Sequence, residues 1–162
     1  MVPKVMIILG SSSDIAVAEK CMDIFEKLEI PYSLKIASAH RTPKQLVSFL
    51  EEIENDTDVI IGAAGKAAHL PGVIASHTLI PVIGLPIKSS TMDGLDSLLS
   101  IVQMPSGIPV ATVAINGSKN ASYLALQIIA NKHECIKEKL ILERKRNSED
   151  VLKANLELMS KY

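Results

Sequence analysis

Four side chains in the first half of the chain have the types needed for proton transfer and anion binding: Asp14, His40, Arg41 and His69. A histidine gives or takes a proton at physiological pH, and the planar fork of an arginine suits a phosphate. Each of the four follows closely on a short apolar run, at 5–9, 34–37 or 59–64, and these runs read as buried strands. In an open parallel α/β sheet, loops leaving the carboxyl ends of adjacent strands converge on one crevice. Gly10-Ser-Ser-Ser-Asp14, Ser38-Ala-His-Arg-Thr-Pro43 and Gly65-Lys-Ala-Ala-His69 are therefore expected to line a single pocket.

The first loop presents Ser11, Ser12, Ser13 and Asp14 at a helix start, where free backbone N–H groups and the macrodipole favour an anion such as phosphate. Ser11 and Asp14 also have the S-x-x-D spacing of a capping box, so ordinary capping is the competing reading. The loop is not a dinucleotide fingerprint. It lacks G-x-G-x-x-G, and the second strand ends in Ala37-Ser38, where an acidic ribose ligand would stand. In the second loop, Thr42, Pro43 and Gln45 have the pattern of an N-cap, a first-turn proline and an N3 partner, which puts His40 and Arg41 just before a helix. An isolated histidine is more often structural, but one at a strand's carboxyl end beside an arginine favours function. The third loop, residues 62–72, is small and largely apolar, suited to a close backbone approach and to a small uncharged species rather than a metal. His69 there could contact a ligand or brace the next helix. His77 and His133 have no comparable context, and His, Cys, Asp and Glu nowhere cluster at metal-ligand spacing.

Such loops need a scaffold, and the rest of the chain supplies one. Stretches of helical period follow the apolar runs at 15–28, 43–53 and 70–77; a strand at 81–85, a helix at 94–103, a strand at 110–115 and a helix at 120–131 continue the alternation. With 48% hydrophobic but only 3% aromatic residues, the core must be built from Ile, Leu, Val, Ala and Met, which suits parallel strands covered on both faces. The expected fold is α/β: a three-layer α/β/α sandwich on a flavodoxin-like parallel sheet of five strands, with a C-terminal helical extension. A length of 162 residues fits one domain, 1–162. Within it, 133–162 turns to charged helix formers with Ile136, Leu140, Val151, Leu152, Leu156 and Met159 near helical spacing. This helix or helix pair has no following strand to cover, so its apolar stripe is expected on a neighbouring subunit. A mean hydropathy of +0.26 likewise points to a homo-oligomer.

Seventeen basic against 18 acidic residues, with no block of like charge, argue against a nucleic-acid partner. No apolar run approaches the ~20 residues of a membrane span, and the first is too short for a signal-peptide core, so a cytoplasmic protein is expected. Cys21 and Cys135 lack CxxC spacing and read as reduced, half-buried thiols without chemistry.

Set side by side, the loops resemble those of the phosphoribosylaminoimidazole carboxylase catalytic-subunit family, and within it the bacterial N5-carboxyaminoimidazole ribonucleotide mutase branch (class I). The resemblance covers nearly the whole chain. It rests on the first two loops, on Ala67-Ala-His-Leu-Pro-Gly72, and on the run Asp96-Ser-Leu-Leu-Ser-Ile-Val-Gln-Met-Pro-Ser-Gly-Ile-Pro-Val110. It implies a step of de novo purine (IMP) synthesis, in which a carboxyl group on the exocyclic N5 of an aminoimidazole ribonucleotide moves to ring carbon C4. No metal, ATP or organic cofactor is implied. By the same resemblance, Ser11 and Arg41 would hold the 5'-phosphate, with Ser13, Ser38 and Ala39 nearby, and Asp14 would bind the ribose hydroxyls. His40 would be the proton shuttle, Ala67, Ala68, His69 and Leu70 would border a pocket for carbon dioxide, and the assembly would be an octamer with sites between subunits.

Two features depart from that pattern: Lys66 stands where the branch usually has glycine, and 116–121 is shorter than its counterpart. A bulky, strongly hydrated lysine is expected to point to solvent. The rival enzyme is the family's other branch, as in animals, which carboxylates the unmodified nucleotide with carbon dioxide; Arg41-Thr42-Pro43 and Ala67-Ala-His-Leu-Pro71 favour the mutase branch. A rival of another class is a non-catalytic flavodoxin-like module, either a sugar-phosphate sensor or a phospho-receiver. A receiver needs acids at the ends of its first and third strands, and the third run here ends in Ala63-Ala64-Gly65.

Overall fold

Three of the apolar runs form strands that are buried on both faces: β1 (Val5–Leu9), β3 (Val59–Gly65) and β4 (Val82–Ile87). In this computed structural model, which describes residues 4–162, they are joined by β2 (Tyr32–Ile36) and β5 (Ala111–Thr112) in one parallel sheet of order β2-β1-β3-β4-β5. The first three residues of the expected domain 1–162 lie outside the described residues. The strand order is the flavodoxin-like one. The helices are α1 (Ile15–Lys27), α2 (Pro43–Ile53), α3 (Leu70–Ser76), α4 (Leu95–Val102), α5 (Ser118–Ala130) and α6 (Glu134–Met159).

Side chains alternate across the sheet and divide the core in two. Val5, Ile7 and Leu9 of β1, with Val59, Ile61 and Ala63 of β3, pack under α1, α5 and α6. Met6, Ile8, Ile60 and Ala64 face the opposite layer, where Leu46 and Leu50 of α2, Ile74 of α3 and Ile101 of α4 cover them. Each large aliphatic side chain so buried contributes about 1.5–3 kcal/mol. Gly84 allows α4 to close on β4, because a Cβ there would collide with Ile101 and meet Val110 at 2.9 Å.

Three expectations need correction. The second run is not a buried strand: β2 is a sheet edge, and Leu34 and Ile36 remain 40% and 48% exposed because no helix extends over them. The fifth strand is only Ala111–Thr112 rather than 110–115. Its ladder partner β4 carries Pro86, which has no N–H to give on that side, although its carbonyl still accepts from Asn116 N at 2.8 Å. Of the two forms expected for the C-terminal extension, the single helix is the one that forms, over Glu134–Met159. The thiols are not half-buried: Cys21 is fully buried and donates to the Ser118 carbonyl at 3.2 Å, whereas Cys135 is exposed.

The first turns of α6 dock through Ile136 and Leu140, and a polar clamp follows. Lys27 Nζ lies 2.6 Å from Glu143 Oε1, the Tyr123 hydroxyl donates to the same oxygen at 2.9 Å, and Lys139 Nζ donates to the Leu28 carbonyl at 2.6 Å. Beyond Glu143 the helix projects, with Val151, Leu152, Leu156 and Met159 exposed. The Lys27 hydrogen bond, assisted by Tyr123, holds the Glu143 carboxyl below the usual range in spite of its burial. A carboxyl depressed by folding stabilises above its unfolded pKa and loses that contribution as pH falls through the folded one. Glu143→Gln should therefore destabilise the protein by about 1–2 kcal/mol at pH 7. In thermal melts its deficit should shrink below about pH 4.3, the unfolded glutamate value; a deficit independent of pH would contradict the clamp.

Candidate active site

Parallel register brings the ends of three strands level. Leu9 pairs with both Ile36 and Ala63, Ala37 N donates to the Leu9 carbonyl at 2.9 Å, and Gly10 N donates to that of Ala63 at 3.0 Å. The three loops thus leave one edge of the sheet together.

In the first loop the Ser11 hydroxyl accepts from Ser13 N at 3.3 Å, and Asp14 N donates to the Ser11 carbonyl at 3.2 Å. This caps a single 3-10 turn, Ser12–Asp14, ahead of α1. The Asp14 carboxylate receives the Ser13 hydroxyl at 3.2 Å, so only the serine half of the expected capping box is built. In the second loop the expected Thr42 cap is absent. The Thr42 hydroxyl accepts from Ser38 N at 2.9 Å and reaches back to the Ser38 carbonyl at 3.2 Å, closing the loop on itself because the Ser38 amide needs a partner there. That closure carries His40 to the tip. Arg41 is held by its Nη2, which donates to the Gly10 carbonyl at 3.0 Å, and by its backbone N–H, which donates to Ser38 Oγ at 3.2 Å. In the third loop Lys66 adopts a left-handed φ of 56°, and His69 N donates to the Ala67 carbonyl at 2.9 Å just before α3. Gly62 beneath lets α3 sit close, since a Cβ there would lie 3.2 Å from Pro71 Cα.

These turns bring His40 Nε2 to 2.7 Å from His69 Nδ1, with the rings edge to face at 79°. One ring must donate and the other accept, so while the contact lasts the pair carries at most one positive charge. The pair borders a cavity of about 560 Å³ that Ser11, Ser13, Asp14, Ser38, Ala39, Arg41, Ala67 and Leu70 also line. Ser12 and Ala68, also picked out from sequence, do not line it, and Ala68 is buried in the α2–α4 layer of the core. Sequence reasoning missed Ile87, Lys88 and Ser89; Lys66 is exposed, as expected, and also lines the cavity. Lys88 and Ser89 follow directly on the fourth strand, so the strand-end rule that selected the other loops also reaches them. Ser89 is anchored by Asp96 at 2.8 Å, and Lys88 pairs with Asp93 at 2.7 Å. Among the described residues, no three His, Cys, Asp or Glu side chains gather to hold a metal ion.

A parallel sheet whose carboxyl edge gathers a contacting histidine pair and a positioned arginine has the layout of an α/β enzyme. Residues 4–150 match the AIR carboxylase model, and the chain belongs to the AIR carboxylase family. The N5-carboxyaminoimidazole ribonucleotide mutase of Pyrococcus abyssi is 57% identical over 139 residues, 85% of this chain and 80% of that protein. The Escherichia coli K12 mutase is 49% identical over 152 residues, covering 92% and 90%. The crystal structure of Treponema denticola PurE superposes with a TM-score of 0.89 at 31% identity, over 96% of this chain and 98% of that one.

Asp14 is 7% exposed, and burial lifts its carboxyl above the usual range against hydrogen bonds from the serine loop and the charge of Arg41. A carboxyl raised by folding makes the native state bind its proton more tightly, so its contribution to stability falls as pH rises past the ordinary value of about 3.9. Asp14→Asn should therefore melt higher than the parent at pH 7, with the gain vanishing below about pH 4. An asparagine variant less stable at pH 7 would contradict this account.

Proposed function

We propose that this protein is an N5-carboxyaminoimidazole ribonucleotide mutase, which converts the N5-carboxylated nucleotide to 4-carboxy-5-aminoimidazole ribonucleotide in IMP biosynthesis. The observation that carries the reading is the 2.7 Å His40–His69 contact beside Arg41 in a cavity with small-residue walls. His40 protonates N5 of the carbamate; the N5–carboxyl bond breaks, its electron pair stays on nitrogen, and carbon dioxide is released. The freed aminoimidazole is enamine-like, and its C4 attacks the carbon dioxide carbon. His40, now neutral, removes the C4 proton and returns to its starting state, so one group serves as acid and then base. His69 holds the ring in plane through the shared hydrogen bond.

The remaining roles are those the family resemblance implies. Arg41 and Ser11 take the 5'-phosphate with Ser13, Ser38 and Ala39 beside them, and Asp14 takes the ribose hydroxyls. Ala67, His69 and Leu70 border the carbon dioxide, and Ala68 backs that wall from the core. Held against this wall of small residues, carbon dioxide stays within reach of C4. The phosphate, remote from the reacting atoms, supplies binding energy for positioning. The enzyme acts as a single-domain protomer of a homo-oligomer, an octamer with sites between subunits. The exposed apolar residues of α6, with Leu95, Leu99 and Val102 on α4, favour such an assembly. No helix among the described residues is long and apolar enough to cross a membrane, and we read the enzyme as cytoplasmic, with neither membrane nor nucleic acid as partner.

Purified protein supplied with the C4-carboxylated nucleotide, without ATP or metal, should consume it in an ultraviolet assay. With the N5-carboxylated substrate it should turn over far faster than with unmodified nucleotide plus bicarbonate; the opposite preference would make it a direct carboxylase. His40→Asn should bind the nucleotide but turn over at least ~100-fold more slowly; near-normal turnover would remove His40 from the mechanism. Arg41→Ala should weaken nucleotide binding by about 1.5–3 kcal/mol, the worth of a charge-assisted contact. Equal affinity would take the phosphate away from Arg41.

A further inference from the structure

We infer that Lys66 is the specificity-determining counter-ion for the migrating carboxylate, selecting carboxylated over uncarboxylated nucleotides. The inference rests on the mutase reading and deepens it. Three cationic side chains line the cavity, Arg41, Lys66 and Lys88, against the single acid Asp14. Two of the three are already committed. Arg41 is fastened to Gly10 and to the Ser38 hydroxyl on the phosphate side, and Lys88 is paired with Asp93 at 2.7 Å. Lys66 makes no ion pair and no side-chain hydrogen bond among the described residues, and it shares the tight β3–α3 loop with His69.

Its backbone adds a second observation. At φ 56° Lys66 occupies a conformation that glycine adopts without cost and that an L side chain adopts under strain. Strain held at a cavity wall points to a side chain retained for what it contacts. The carboxylated nucleotide carries a phosphate and a separate carboxylate, and with Arg41 on the first, the exposed, unpaired Lys66 ammonium, on the same loop as His69, is left for the second.

The charge history of the reaction fixes the sign of the effect. The carboxyl is anionic on N5 and again on C4 but neutral as carbon dioxide between them. An ammonium therefore favours the two ends of the reaction over its middle. Removing it raises KM for the carboxylated nucleotides without lowering kcat, the signature of lost ground-state binding.

The experiment compares the parent, Lys66→Gly and Lys66→Arg with three readouts: KM and kcat for the C4-carboxylated nucleotide, Ki for the uncarboxylated aminoimidazole ribonucleotide, and melting temperature. Lys66→Gly should raise KM about tenfold, the worth of one charge-assisted contact, leave kcat equal or higher, and leave Ki unchanged within about twofold. Lys66→Arg should keep KM near the parent's. Lys66→Gly should melt no lower than the parent, since glycine relieves the left-handed strain. If KM and Ki rise together, if neither moves, or if kcat falls with KM unchanged, the inference is overturned while the mutase reading stands. If the parent itself fails to interconvert the carboxylated nucleotides, the mutase reading fails and takes this inference with it.

Discussion

Everything at the site depends on the parallel pairing of β1 with β2 on one side and β3 on the other. Because Leu9 is level with both Ile36 and Ala63, the serine loop, the His40–Arg41 turn and the Lys66–His69 turn all start from one edge. A slip of one residue in either ladder would turn the strand's buried side chains to the wrong face. It would also move His40 away from His69. The two half-cores hold that register through apolar contacts on both faces of the central strands.

On this rigid edge the cavity walls carry local costs. Asp14 is nearly buried with its carboxyl raised by desolvation, and Lys66 adopts a left-handed backbone without being glycine. Such features concentrate where a protein holds groups ready for a ligand rather than for its own stability. On the proposed reading, the nucleotide brings hydroxyls to Asp14, a phosphate to Arg41 and a carboxylate to Lys66. Binding and chemistry are thus two uses of one preorganised charge pattern.

Much of this was legible in the residues. Continuous apolar runs at β1, β3 and β4 can only be strands covered on both faces, and strand-end placement of Asp14, His40, Arg41 and His69 follows from a parallel sheet. What was not legible depends on partners remote in sequence. The edge position of β2 is a property of strand order, not of its own apolar residues. The short β5 reflects Pro86 on the neighbouring strand. Thr42 has the type and place of a helix cap, yet its hydroxyl is taken by Ser38, a competition that spacing cannot weigh. Whether Ala68 or Ala67 faces the cavity is decided by the turn before α3, and two adjacent alanines give no sign of it.

On the proposed mutase reading, carbon dioxide released from N5 stays in the cavity until C4 captures it. The direct measurement is a turnover of substrate labelled with carbon-13 in its N5 carboxyl group, run in a large excess of unlabelled bicarbonate with the product read by mass spectrometry. Retention of the label in the C4-carboxylated product at early conversion is the predicted result. Product labelled in proportion to the bulk bicarbonate would mean that carbon dioxide escapes before capture, and the cavity described here would not be the vessel of a mutase.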